Sequence, residues 1–186
     1  MDYFIESILK PLIESNLTLA IDLGSSGQPH GQNTHIEYDT AGLPTGRIIH
    51  ADVEAFWPAP ELAKPLGREE FYKQYGYEYH ENQFSVLRTT FFTYFVQGVL
   101  DQLFEVMGKR YPDNKQELLD KSHEVLVDGL KRRKDKLELI ETFSQQAREG
   151  KSRVDDFFEV LNVGILPWTL QRAYRHFKDQ ESDGWY

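Results

Sequence analysis

The chain has 186 residues, 40% of them apolar and 13% aromatic, which is enough for one globular domain with a hydrophobic core. Its 30 acidic residues outnumber its 21 basic residues and give a net charge of −9, which disfavours nucleic acid as a partner because phosphate backbones are repelled. It contains no cysteine, which excludes disulfides, thiolate metal sites and cysteine-bound iron–sulfur clusters.

Residues 1–16 alternate polar with apolar side chains and lack the pattern of a secretory signal peptide. No apolar run approaches the ~20 residues that cross a bilayer. We therefore expect a cytoplasmic protein without a membrane partner.

The first elements are a helix and a short apolar segment. Apolar residues at spacings of three and four over residues 4–13 predict a helix, in which Pro11 predicts a kink or a late start. Residues 17–23 form an apolar run that predicts a buried strand leading into a glycine- and serine-rich loop.

A β-hairpin is predicted next, with strands at residues 34–38 and 47–53 and a turn at residues 39–46 that is rich in turn formers. Antiparallel pairing places residues 33–34 opposite residues 52–53. The end of the hairpin far from the turn then gathers polar side chains: His30, Gln32, Asp52 and Glu54.

Beyond an irregular crossover at residues 56–67 the pattern is helical, with helices predicted at residues 82–109, 115–133, 136–148, 154–161 and 168–177. The fold class is α+β: a small antiparallel sheet with a β-hairpin, followed by a mostly helical C-terminal lobe. We expect residues 1–60 to form the α+β part and residues 61–186 the helical lobe, within one compact unit.

Several residue groups have an alternative structural interpretation. His30, His35 and His50 with Asp52 suggest a metal site, but scattered structural histidines are favoured. The basic run at residues 131–136 is interpreted as a solvated helix face. Four tyrosines within residues 72–79 fit a pocket or a half-buried flank equally well.

The group from His30 to Asn33 carries the strongest chemical signal. Gly27 and Gly31 bracket it, so the backbone can bend tightly and let a ligand approach. His30 can donate to a carboxylate or phosphate oxygen, and Gln32 can bond an anion or a ribose. Asp52 at a strand end suits Mg²⁺, which prefers carboxylate oxygen. A purely structural loop is the alternative.

Residues 3–58 resemble the C-terminal half of the NRPS-independent siderophore synthetases, the aerobactin-synthetase-like family. That family shows Glu-x-His-x-Gln-Asn after a helix and an apolar strand, then a hairpin and a strand that ends in Arg-Asp. The match here is Gln28-Pro29-His30-Gly31-Gln32-Asn33 and Ala51-Asp52. Gln28 replaces the family's acid and Ala51 its arginine.

The resemblance implies that ATP activates a citrate-type carboxylate as an acyl-adenylate, which an amine or hydroxyl then captures. It implies that His30 is the catalytic contact to the carboxylate, that Gln32 and Asn33 bind the nucleotide, and that Asp52 binds the nucleotide or its Mg²⁺. Family enzymes are longer, so the resemblance also implies a separate N-terminal lobe or partner chain.

Two alternatives stand beside that expectation. The chain is a non-catalytic binding or scaffold protein that keeps the fold without the chemistry, or it is a small metal-binding protein that uses its histidines. The same broad superfamily includes ferric-siderophore reductases with a cysteine-bound cluster, an activity that a chain without cysteine excludes.

Overall fold

An N-terminal helix, α1, runs without a break over residues 2–22. Its α-helical segments Asp2–Phe4 and Lys10–Leu17 alternate with π-helical segments Ile5–Leu9 and Thr18–Asp22. The computed structural model describes residues 1–52, 56–58, 66–68, 70, 91–136 and 138–139.

Two features of α1 differ from the sequence-based prediction. The strand predicted at residues 17–23 is wrong, because Leu17, Ala20 and Ile21 are buried at helical spacing and continue the face that begins at Ile5. The helix also passes through Pro11 without a break. The turn before this proline is π-helical, with the Lys10 N–H donating to the Ile5 carbonyl, and this wider turn makes room where a proline crowds an α-helix.

The strands form two separate antiparallel pairs. Strand β1 (Ser25–Ser26) pairs with β4 (Trp57–Pro58). Strands β2 (Thr34–Tyr38) and β3 (Pro44–His50) form the predicted hairpin. Together with the helices, these pairs confirm the α+β class.

The hairpin has a shorter turn than predicted. The Asp39 carboxylate accepts hydrogen bonds from the N–H groups of Ala41 at 2.8 Å and Leu43 at 2.9 Å, which closes the turn before Pro44. Thr34 consequently pairs with His50, two positions from the predicted register, and a bulge lies between Ile36 and Tyr38. A shift of two positions leaves every side chain on its predicted face.

The two faces of the hairpin have different surroundings. Ile48 packs against the core below the hairpin, and His50 on the same face is half-buried. His35 and its partner Ile49 lie on the opposite face and are exposed. His35 and His50 therefore point in opposite directions.

The helical part begins with α2, which is π-helical over Phe91–Asp101 and α-helical over Gln102–Arg110. A 3₁₀ turn at Pro112–Asn114 leads into α3, Lys115–Lys131. These bounds agree with the helices predicted at residues 82–109 and 115–133, of which residues 82–90 lie outside the described residues. The tyrosine group and the predicted helices after residue 139 lie outside the described residues, and the division at residue 60 stays a prediction.

A single hydrophobic core joins the N-terminal helix to the helical part. Its buried members come from α1, α2 and α3: Ile5, Leu9, Leu12, Ile13, Leu17, Ala20, Ile21, Phe95, Leu100, Leu118, Leu126, Val127 and Leu130. Over the described parts of the chain, no helix is long and apolar enough to span a membrane.

One residue of the basic run is buried, so the prediction of a solvated face is wrong at this position. The Arg133 side chain is 8% exposed and donates to Glu14 at 3.0 Å, Asp22 at 3.1 Å and the Thr18 hydroxyl at 2.8 Å. Arg132 and Lys136 add exposed ion pairs to the same two carboxylates. The basic residues of this run therefore form ion pairs that join the end of α3 to acidic residues of α1.

Candidate functional site

The loop of residues 27–33 carries the candidate site and connects β1 to β2. It is held by backbone hydrogen bonds around His30: its N–H donates to the Gln28 carbonyl at 2.8 Å, and its carbonyl accepts from Asn33 at 2.9 Å and Thr34 at 3.0 Å. These bonds fold the loop into a tight turn that presents His30 and Asn33 on one side of the hairpin end.

The His30 ring is half-buried and held from two directions. The backbone N–H of Gln32 donates to His30 Nδ1 at 3.3 Å. The ring of Tyr94, from α2, lies edge-on to the imidazole with ring centroids 5.8 Å apart and an interplanar angle of 64°. Because Nδ1 accepts a backbone hydrogen bond, the proton of the neutral ring belongs on Nε2.

Asn33 is the central residue of the group. It is 9% exposed, and its Nδ2 lies 3.5 Å from His30 Nε2 and donates to Asp52 Oδ2, also at 3.5 Å. The Asp52 distance is at the upper limit for a hydrogen bond, so that bond is weak. The His30 distance joins two donors, because the protonated Nε2 cannot accept from the Asn33 amide. The Asn33 amide and the His30 Nε2–H can therefore bond an added ligand.

Asp52 is exposed and adopts a left-handed backbone conformation, with φ at 57°. The Ala51 N–H donates to the Asn33 carbonyl at 2.8 Å, which is the last bond of the hairpin before this change of direction. A non-glycine residue in this region carries strain of ~1 kcal/mol, less for Asp than for most residues. This conformation accompanies the placement of the carboxylate beside Asn33.

The structure brings together three of the four predicted site residues. His30, Asn33 and Asp52 form one contiguous group, whereas Gln32 is exposed and contributes its backbone N–H. Glu54 lies outside the described residues. The sequence did not indicate Tyr94 as a site residue, because the aromatic pattern of its helix is typical of a hydrophobic core. Only tertiary packing brings its ring to His30.

His50 belongs to a different contact group from His30. Its Nε2 and the Ser15 Oγ are hydrogen bonded at 2.5 Å, and burial lowers the pKa of the imidazole. His35 lies on the other face of the hairpin. Among the residues that the structure describes, no group of three or more His, Asp or Glu side chains is placed to hold a metal.

A cleft of about 330 Å³ lies between α1 and α3, and no side chain of the loop lines it. Two of its charged pairs lie within one helix each: Lys10 pairs with Glu6 at 2.9 Å, and Lys121 pairs with Glu124 at 2.7 Å. These exposed pairs make the cleft a solvated surface feature rather than a reactive site.

The comparison with known families corrects the resemblance to the siderophore synthetases. A family model described as "Ferric iron reductase FhuF-like transporter" matches residues 1–151, and this is a different family from the synthetases. The synthetase assignment is therefore wrong. It rested on a short motif in which Gln28 and Ala51 already departed from the family pattern.

No curated protein and no solved structure matches the chain. The chain contains no cysteine, so its residues do not fit a cysteine-bound cluster. The family match nevertheless covers residues 1–151 of 186, including the loop, the hairpin and all three described helices. The chain belongs to the family described as ferric iron reductase FhuF-like transporter.

Proposed function

We propose that this chain is a binding module of iron acquisition that takes a small hydroxy-carboxylate, of the citrate type, at the group His30, Asn33 and Asp52. The observation that carries the proposal is the convergence of these three polar side chains at one end of the hairpin. The family's description, which names ferric iron, supports the connection to iron.

The three side chains complement a ligand that has both a carboxylate and a hydroxyl. His30 Nε2–H and Asn33 Nδ2–H lie 3.5 Å apart and supply two donors for a carboxylate. Asp52 supplies an acceptor for the hydroxyl of the same ligand. The Asp52 carboxylate repels a negative charge, so the hydroxyl of the ligand, and not a second carboxylate, has to face it.

Binding, rather than reduction, is the role that the chain's own residues support. Without thiolates the chain cannot hold a cysteine-bound cluster, so electrons for any reduction would have to come from another protein or a small reductant. The proposed contribution of this chain is to bind the chelator, free or with its iron, through oxygen-directed hydrogen bonds.

Binding of ATP and Mg²⁺ through Gln32, Asn33 and Asp52 stays a prediction, as do a separate N-terminal lobe and the cytoplasmic location. Asp52 is one exposed carboxylate, so a magnesium ion there would need its remaining oxygens from phosphates and water. We do not propose acyl-adenylate chemistry for this chain, because it was implied by the siderophore synthetases, and the chain belongs to a different family.

A calorimetric titration tests the proposal, with citrate, ferric citrate and Mg-ATP as separate probes. His30→Ala is the test variant and His35→Ala its control, since His35 is an exposed histidine on the opposite face. We expect citrate to bind the wild type and His35→Ala equally, and His30→Ala at least tenfold more weakly. Equal binding by both variants, or no heat with citrate at millimolar concentration, would overturn the proposal.

A heat signal with Mg-ATP, lost in Gln32→Ala, would instead support the nucleotide prediction. Gln32→Ala removes an exposed side chain but keeps the backbone N–H that supports His30, so the ring should stay in place. The two probes therefore separate carboxylate binding from nucleotide binding.

A further inference from the structure

His50 lies at the same end of the hairpin as the candidate site, on the hairpin face that packs against α1. Its Nε2 is hydrogen bonded to Ser15 Oγ at 2.5 Å, the shortest hydrogen bond between the hairpin and that helix in the described part of the chain. Across the hairpin its pairing partner is Thr34, the residue that follows Asn33. The far end of the loop is thus attached to α1 through His50.

The same imidazole also supports the near end of the loop. The Phe56 ring lies edge-on to His50, with ring centroids 6.3 Å apart and an interplanar angle of 86°. That phenyl ring packs against the backbone of Gly27: a Cβ at this position would lie 3.3 Å from Phe56 Cζ and 3.4 Å from Cε1. Glycine is needed for this close approach.

We propose that His50 is a positioning residue for the site: bonded to Ser15 and packed against Phe56, it holds both ends of the loop of residues 27–33 at the spacing that brings His30, Asn33 and Asp52 together. The inference deepens the proposed function, and its ligand-binding consequence rests on that proposal. The positional consequence can be measured without any ligand.

The site needs such support because its own contacts are weak. The Asn33 amide donates to Asp52 at 3.5 Å, a distance at which a hydrogen bond does not fix a geometry, and its 3.5 Å contact with His30 Nε2 joins two donors. Binding groups on a loop are precise only when neighbouring residues lock the loop in place. Ser15, His50 and Phe56 supply that support from outside the site.

The groups that His50 meets are uncharged in the described structure: the Ser15 hydroxyl from α1, Thr34 from β2 and the Phe56 ring. Its support of the loop is therefore a matter of hydrogen bonding and packing. Removal of the Ser15 hydroxyl should therefore weaken the support of the loop without altering the charge of the site.

The experiment is amide hydrogen exchange on the full chain, read at the N–H groups of Asn33 and Thr34, which both donate to the His30 carbonyl. Ser15→Ala is the test variant, and Ser7→Ala is the control because Ser7 is another half-buried serine of α1. We expect Ser15→Ala to speed exchange of both loop amides at least tenfold. Ser7→Ala should leave them unchanged, and neither variant should change exchange at Leu126 in the core of α3.

Gly27→Ala tests the near end of the loop independently of Ser15, since its new methyl group presses on Phe56. It should speed exchange at the same two amides. His50→Gln keeps an amide that can reach Ser15. The exchange rates of the Asn33 and Thr34 amides in this variant should therefore be closer to those of the wild type than the rates in His50→Leu. Unchanged loop exchange in Ser15→Ala, or equal acceleration at Leu126, would overturn the proposal, because the latter indicates general destabilisation.

Citrate binding separates this inference from the proposed function. If the wild type binds citrate, Ser15→Ala should weaken binding at least fivefold although it touches no ligand group. If the wild type does not bind citrate, the proposed function fails, and the exchange rates of Asn33 and Thr34 still decide whether His50 positions the loop.

Discussion

Asn33 and Asp52 lie side by side although 19 residues separate them, with Asn33 Nδ2 donating to Asp52 Oδ2 at 3.5 Å. The contact exists because β2 and β3 pair antiparallel from Thr34 and His50, and the Asp39 turn sets that register from the other end of the hairpin. The geometry of the candidate site therefore depends on a turn formed some distance along the chain.

The left-handed conformation of Asp52 gives a first prediction. Asn adopts this backbone conformation about as readily as Asp, so Asp52→Asn should change the free energy of unfolding by no more than about 0.5 kcal/mol. Asp52→Ala should lower the free energy of unfolding by about 1 kcal/mol, because alanine has the strained Cβ but no polar side chain that can hydrogen-bond the nearby backbone. Urea denaturation of the two variants is the measurement, and equal stability of both would contradict the interpretation.

The Arg133 ion pairs give a second prediction. Arg133→Met removes one cationic partner from both Glu14 and Asp22. We expect it to lower the free energy of unfolding by about 2–3 kcal/mol. The loss is smaller than for a fully buried pair because both carboxylates reach solvent. Thermal or urea unfolding measures it.

Arg132→Met is the matched control for that prediction, since Arg132 pairs with Glu14 but its side chain is 55% exposed. It should cost less than about 1 kcal/mol. Similar losses in the two variants would show that burial does not set the value of these ion pairs.

Close packing between α1 and α3 gives a third prediction. A Cβ at Gly129 would lie 2.5 Å from Leu17 Cδ1 and 3.1 Å from Glu14 Oε1, so Gly129→Ala forces the buried Leu17 side chain or the helices themselves to move. Overpacking of this kind costs about 1–3 kcal/mol and outweighs the gain of about 1 kcal/mol in helix propensity. We expect net destabilisation in urea.

Gly108→Ala is the corresponding control in α2, because a Cβ there meets only the Lys115 side chain, no closer than 3.5 Å. The helix-propensity gain should then dominate and stabilise the protein by up to about 1 kcal/mol. A destabilised Gly108→Ala would refute the packing argument, since the two substitutions differ in their surroundings.

The buried imidazole of His50 gives a fourth prediction, on pH. Burial lowers its pKa below the ordinary value of 6.5, so the unfolded chain binds a proton there at a pH where the folded chain does not. The free energy of unfolding should therefore fall as the pH is lowered from 7.5 to 5.5. Urea midpoints at both pH values, in the wild type and in His50→Gln, should show a smaller slope in the variant.

Asp101 acts with the opposite sign. Burial raises its pKa above 3.8, so its stabilising contribution is present below that value and is lost as the pH rises through the raised pKa. The wild type and His50→Gln both keep Asp101, so the difference between their slopes reports His50. An unchanged slope in His50→Gln would show that other groups dominate.

Local chemistry in the sequence predicted much of the fold. The spacing of apolar residues located α1 and α3, and the alternation around Ile36 and Ile48 located the hairpin. The apolar run at residues 17–23 was misassigned because a short buried segment fits a helix and a strand equally well. The turn was predicted too long because the effect of the Asp39 side chain on its own backbone depends on its rotamer.

The proximity of His30, Asn33 and Asp52 could be predicted, because a hairpin brings its two open ends together and a register error of two positions did not separate them. Their role as a site stays a prediction. Tyr94 and the Ser15–His50 bond were missed, since no spacing in the sequence relates them to the loop. Family membership was misassigned because the motif used for it is only a few residues long.

By itself, the sequence determined the helical periodicity of residues 4–13 and 115–131, the β-hairpin, and the lack of any cysteine thiolate in this chain. These properties follow from side-chain type and periodicity, which act over a few residues. The tertiary structure alone decided that Arg133 is buried between Glu14 and Asp22, and that Ser15 and Phe56 meet at His50. Such contacts join residues far apart in the chain, and only the packing of α1 against the hairpin and α3 brings them within reach.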